Sequence, residues 1–376
     1  MDGLRRLASI LLALGISGCE EPQEPEAPWA WELPVGFPEP YVPPDNPMSA
    51  VKVELGRRLF YDKRLSQNET MACASCHDQA RAFTDGEATP TGSTGHVLPR
   101  NAMSLTNIAY LSFFTWANPK LASLEEQALV PMLADFPLEL GVQIDPEAVL
   151  ARFRDDPELA DLFTRSFPGE DDPVTVSNIT KALASFERTL ISGDSLYDRY
   201  AYGGETTAMS PAALRGMNLF FSERAECYHC HAGLTFTSSF RTATSEPGPA
   251  DFQNTGLYNI GGTGAYPMGN GGLYEFTGDM ADMGRYRVPT LRNITLTAPY
   301  LHDGSAATLE EVVALYAAGG REITEGPNAG DGRTHPNKSA FVRETDLTEQ
   351  DQADLVEFLK SLTDETFIRD PRFGPP

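Results

Sequence analysis

Two stretches of the chain place apolar residues at the same helical spacing. Glu54-Leu55-Gly56-Arg57-Arg58-Leu59-Phe60 and Leu214-Arg215-Gly216-Met217-Asn218-Leu219-Phe220 each set Leu and Phe three and four positions after a glycine, on one face of a helix. Ser210-Pro211 opens the second with a capping serine and a proline at the first helical position. Farther along, Leu183, Phe186 and Leu190 match Leu355, Phe358 and Leu362 in spacing, which predicts a second pair of amphipathic helices. The chain reads as two copies of one plan, each opened and closed by a helix. Strand signals are few, so the expected fold is mainly α, in two domains at about 50–205 and 206–376. The Gly-rich stretch 256–278 reads as a long surface loop of the second.

The start of the chain differs. Arg5 and Arg6 precede an apolar run over 7–16, too short to span a bilayer as a stop-transfer helix. Ile16-Ser17-Gly18-Cys19 resembles a bacterial lipobox, so residues 1–19 read as a lipoprotein signal peptide with Cys19 the lipidated residue. Export to the periplasmic side, with the lipid as the only membrane contact, is the expectation. Residues 20–49 hold nine prolines and many glutamates, which exclude a helix or a central strand and predict an extended tether. Trp29 and Trp31 fall in it and are not expected to be catalytic. The net charge of −24 argues against nucleic acid or an anionic membrane surface as partner. It suits a basic partner, or simply a solubilising surface.

Four of the five cysteines lie in Cys73-Ala74-Ser75-Cys76-His77 and Cys227-Tyr228-His229-Cys230-His231. Two thiols three positions apart can add to both vinyl groups of one porphyrin, and the following His can reach its iron. Zinc would need the two pairs to share one metal and would leave those histidines unexplained. A redox dithiol would need a βαβ context that is missing. Each string follows a matching helix, so each domain is expected to be cytochrome c-like with one covalent c-type haem, on Cys73, Cys76 and His77 and on Cys227, Cys230 and His231. His229 reads as a spacer.

With these residues in hand, the chain resembles the bacterial di-haem cytochrome c peroxidase and MauG family over about 48–365. The strongest run is 288–305, Val-Pro-Thr-Leu-Arg-Asn-Ile-Thr-Leu-Thr-Ala-Pro-Tyr-Leu-His-Asp-Gly-Ser. Ala82-Phe83-Thr84-Asp85-Gly86 after the first haem string also matches. The string Thr115-Trp116-Ala117-Asn118-Pro119 looks nearest the MbnH-type branch.

The resemblance implies roles. The N-terminal haem, on His77, is the peroxidatic one, with Gln127 and Glu139 as its distal polar pair and Pro131 beside them. Glu139 stands two residues farther on than is usual. Many relatives bring a distal His to this iron. The one candidate here, His96, does not fall at the usual distance from Asn101, so an open iron is expected. Trp116 corresponds to the tryptophan between the haems, although the usual Trp-Asp-Gly-Arg string is missing. Tyr316, fourteen residues past His302, stands where the peroxidases have a Met ligand to the second iron and MauG has a Tyr. Met268, Met280 and Met283 are the rival ligands. A calcium ion on Asn101, Thr297 and the Pro299 carbonyl is also implied.

The function so implied is a peroxide-dependent di-haem oxidoreductase in which H₂O₂ serves, through high-valent haem, to oxidise a side chain of a partner protein. The alternative within the class is a peroxidase fed by a small redox protein. The alternative outside it is a di-haem electron carrier with both irons closed.

Overall fold

The computed structural model describes residues 27–246 and 251–376. Cys19 and the expected signal peptide lie outside the described residues. Five helices build the first half: α1 (Ala50–Tyr61), α2 (Leu124–Leu133), α3 (Pro146–Arg154), α4 (Pro157–Ser166) and α5 (Val176–Glu187). A short helix, α6 (Leu196–Ala201), leads to the second half. That half contains α7 (Pro211–Phe220), α8 (Tyr274–Thr277), α9 (Leu309–Ala317) and α10 (Glu349–Lys360). Two small antiparallel pairs complete it: β1 (Phe252–Gln253) with β2 (Tyr286–Arg287), and β3 (Glu322–Ile323) with β4 (Gly330–Asp331). The mainly α expectation holds.

The paired helices start where capping side chains stop the backbone from running on. Ser49, Thr175, Ser210 and Thr348 each accept a hydrogen bond from a first-turn N–H of α1, α5, α7 and α10. The glycines of the repeated pattern explain how these helices pair. A Cβ on Gly56 would lie 1.9 Å from the Ala182 carbonyl oxygen, and one on Gly216 would lie 1.8 Å from that of Asp354. α1 therefore crosses α5, and α7 crosses α10, in backbone contact. Gly56→Ala forces the crossing apart, and we expect it to destabilise the protein by about 1–3 kcal/mol, seen as a lower urea midpoint.

Three apolar clusters result. The first gathers Phe60, Phe83, Phe153, Phe163 and Phe186, and the second Phe220, Phe236, Leu355, Phe358 and Leu362. The third lies beside Trp116 and contains Leu257, Tyr258, Tyr266, Met283 and Tyr286. It corrects the reading of 256–278 as a surface loop: Leu257, Tyr258 and Tyr266 are buried, and the glycines turn the chain between them.

The tether is also corrected over its described part. Residues 27–49 form no helix or strand, but they are fastened to the body. Asn46 is buried and donates to Glu125 and to the Lys181 carbonyl while accepting from Lys52. Tyr110 donates to the Pro38 carbonyl, and Arg241 lies 3.3 Å over the Tyr41 ring. Prolines remove backbone donors without preventing side chains from packing. Trp29 and Trp31 meet edge to face at 5.5 Å. The C-terminal tail, which sequence order puts with the second half, returns to the first: Phe367 and Phe373 join its core, and Tyr61 donates to the Phe373 carbonyl.

The strongest run of the resemblance, 288–305, ties the halves together. Arg292, almost wholly buried, makes a two-pronged ion pair with Asp198 at 2.7 and 2.8 Å. Asn293 donates to Ser192 and accepts from the Asp364 N–H.

Candidate haem sites and active site

Each Cys-x-x-Cys-His string folds as a helical turn. The His77 N–H donates to the Cys73 carbonyl at 3.0 Å, and the His231 N–H to that of Cys227 at 2.9 Å. None of these four cysteines is paired in a disulfide. His77 Nδ1 lies 2.8 Å from the Phe83 carbonyl oxygen, and His231 Nδ1 lies 3.0 Å from that of Phe236. A donating Nδ1–H fixes the ring and leaves Nε2 as the free ligand atom. Burial pushes both imidazoles down, His231 to about 4, so both are neutral and able to bind a metal. The two anchoring phenylalanines share a strained backbone, with φ of 62° at Phe83 and 52° at Phe236. The repeat reading missed these anchors. The signal was present, since Phe-Thr follows the His six positions on in the first copy and five in the second.

Beside the second string opens a largely apolar cavity of about 1830 Å³, mouth included. Cys227, Cys230, His231 and Tyr316 line it, as do Thr84, Asn101 and Trp116. Arg287 also lines it. This guanidinium is 3% exposed and donates only to the Thr115 and Val288 carbonyls and the Met103 sulfur. Among the described residues no carboxylate pairs with it, and burial lowers it to about 10. A buried cation without an anion is costly. A porphyrin carries two propionates, so an apolar cavity with paired thiols, an anchored His and an orphaned Arg fits haem.

Two of the expected distal residues, Gln127 and Pro131, lie one turn apart on α2. The Leu140 N–H donates to the Pro131 carbonyl at 2.9 Å, which folds the following loop back and brings the backbone next to Glu139 toward Pro131. The Glu139 carbonyl accepts from the Ser93 N–H and hydroxyl at 2.8 and 2.7 Å. Burial raises its carboxyl to about 7. Burial foremost, and the Glu139 carboxylate in lesser part, push the Cys73 and Cys76 thiols up, which places Glu139 near the first haem string. His96 sits on the neighbouring loop, with its ring edge-on to exposed Phe136 at 5.0 Å.

Trp116 donates from Nε1 to the Asn101 carbonyl at 2.8 Å, and its ring stands 6.4 Å from both His302 and Tyr286. His302 is stacked on Tyr286 at 3.7 Å, and its buried Nε2 has no partner among the described residues. Sequence reading used His302 only as a landmark. Asn101, Thr297 and Pro299 line the same cavity. Asn101 donates its amide to the Glu87 carbonyl at 2.7 Å.

Tyr316 projects from α9 into the cavity. Burial foremost, then Cys230 and Cys227, push its phenol well above the ordinary range, and its hydroxyl has no hydrogen-bond partner among the described residues. Of the rival methionines, Met268 and Met280 are exposed and Met283 packs in the third cluster.

Two helical halves, each with a covalent haem string and an anchored histidine, define a di-haem c-type cytochrome. The di-haem cytochrome c peroxidase family pattern matches residues 50–206. MauG of Methylorubrum extorquens is 32% identical over 325 residues, covering 86% of this chain and 81% of MauG. The cytochrome-c peroxidase IdrP1 of Pseudomonas sp. (strain SCT) is 34% identical, covering 86% and 83%. A crystal structure of a MauG-like protein associated with microbial copper homeostasis shares 49% identity, with a TM-score of 0.90, over 93% of this chain and 99% of that one. The chain belongs to the di-haem cytochrome c peroxidase and MauG family, and it is a peroxide-dependent oxidoreductase with two haems. Expressed with c-type maturation machinery, it is expected to give two haems per chain by pyridine haemochrome and intact mass. Cys227→Ala with Cys230→Ala should give one.

Proposed function

We propose that this protein uses H₂O₂ to oxidise a side chain of a partner protein. The observation that carries this reading is Tyr316. It is an oxygen donor on the wall of the cavity that Cys227, Cys230 and His231 also line, while Met268 and Met280 face solvent. A tyrosinate ligand stabilises oxidised iron, whereas a Met ligand favours taking electrons from a soluble donor.

When bound, the haems supply the redox chemistry of peroxide cleavage. The chain's residues direct it. Glu139 takes the proton from the near oxygen of peroxide and delivers it to the departing one, a task suited to a carboxyl raised to about 7. Gln127 orients peroxide through its amide, and Pro131 narrows the pocket. His96, packed edge-on against Phe136, would leave an iron on His77 accessible to peroxide. Trp116, on the wall of the cavity that Thr84 and His231 both line, would relay electrons between the haems. Tyr316 and His231 would hold the second iron. Asn101, Thr297 and the Pro299 carbonyl offer the hard oxygen ligands that suit calcium, between the two domains, 50–205 and 206–376. Cys19 anchors the chain by lipid on the periplasmic side. The likeness to a protein associated with copper homeostasis supports a copper-handling protein as the partner.

The test is to mix holoenzyme and H₂O₂ with proteins encoded beside its gene, and separately with a reduced small cytochrome or cupredoxin. A peroxide-dependent covalent mass change on a neighbour protein is expected. Rapid oxidation of the small redox protein, with no such change, would establish the peroxidase alternative instead.

A further inference from the structure

The outer edge of the second haem string carries a stack of rings. Tyr228, between the two cysteines, has its ring 4.2 Å from that of His229, and His229 lies nearly parallel to Phe341 at 4.1 Å. Phe341 is 44% exposed. The Tyr228 hydroxyl donates to Glu223 at the surface. His229 Nε2 stands 2.8 Å from Glu226, which Arg343 also pairs. Thioether bonds at Cys227 and Cys230 would attach a porphyrin at the two residues on either side of the Tyr228-His229 pair. The reading of His229 as a mere spacer accounts for none of this.

We infer that Tyr228 is where oxidising equivalents leave the chain, with Glu223 as its proton acceptor, for an aromatic side chain of a docked protein. The inference rests on the proposed side-chain oxidation and gives that reaction its exit. Trp116 is partly buried and lines the internal cavity, whereas the Tyr228 hydroxyl meets exposed Glu223 at the surface.

The step balances. Tyr228 gives one electron inward, its O–H bond breaks, and the proton passes to Glu223. The tyrosyl then takes an electron from the docked ring and its proton back from Glu223, while the docked ring releases its own proton to solvent. H₂O₂ takes two electrons and two protons to become two waters, so Tyr228 cycles twice per peroxide. The hydrogen bond to Glu223, foremost, raises the phenol above its ordinary range. The phenol therefore stays protonated, and electron and proton must leave together.

The experiment uses holoenzyme, H₂O₂ and a nitroso spin trap with no partner protein, followed by peptide mass mapping. The trap adduct is expected on Tyr228. It should be lost in Tyr228→Phe and fall severalfold in Glu223→Gln, each checked for full haem content. Adducts elsewhere with Tyr228 unmodified, beside a normal optical response to peroxide, would overturn the exit while leaving the peroxide reaction standing. No optical response at all would overturn both.

Discussion

Glu139→Gln is expected to retain both haems and yet to react with peroxide about a hundredfold more slowly or worse, the loss typical of a missing acid–base group. Gln keeps the shape and can donate a hydrogen bond, but it cannot accept the peroxide proton and return it. The pH dependence adds a second readout. Burial raises the Glu139 carboxyl to about 7, so it is ionised above that pH and protonated below it. As the base that starts the reaction it must be ionised. The stopped-flow rate should therefore climb as pH rises through about 7 and then level off, and that inflection should vanish in Glu139→Gln. Wild-type traces from the variant would remove Glu139 from the site.

Different parts of this molecule were legible to different degrees, for physical reasons. The helix crossings were open to reading because a glycine three and four residues before Leu and Phe is a side-chain pattern, and Gly56 and Gly216 are at the backbone contacts. The haem strings were legible because thioether chemistry demands particular residue types at particular spacing. Glu139 came only through resemblance. Its approach to Pro131 depends on a main-chain bond from Leu140 that no side-chain pattern announces. The anchors of His77 and His231 are likewise carbonyls, of Phe83 and Phe236, and a carbonyl looks the same on every residue. Arg287 stands out only once no acid is found near it. The segment 27–49 and the 256–278 stretch were misjudged for one reason. Proline and glycine say what backbone is excluded or allowed, but not whether Asn46, Tyr258 or Tyr266 has a place to pack.

Tyr316→Phe tests the second iron and, through it, the kind of substrate. Burial holds the Tyr316 phenol well above its ordinary range, so an unligated Tyr316 would stay neutral at any working pH. Only coordination to a cation strong enough to displace the proton yields a tyrosinate. Removing the hydroxyl would take away the ligand that Tyr316 would supply, and no methionine stands ready to replace it, because Met268 and Met280 face solvent and Met283 is packed among Leu257, Tyr258 and Tyr286. The expected result is conversion of the second site's low-spin signal to high spin at unchanged haem content. The peroxide-oxidised state should also become at least about tenfold shorter-lived, the lower end of what altered support around a metal costs. A fold problem is separated from a ligand problem by the helix itself: Thr308 caps α9, and Phe at 316 keeps the ring that fills the cavity wall. If the variant instead keeps a His/Met spectrum and an unchanged lifetime, a methionine is the ligand. The second site then has the higher potential that accepts electrons readily, and a soluble cytochrome or cupredoxin becomes the donor to seek.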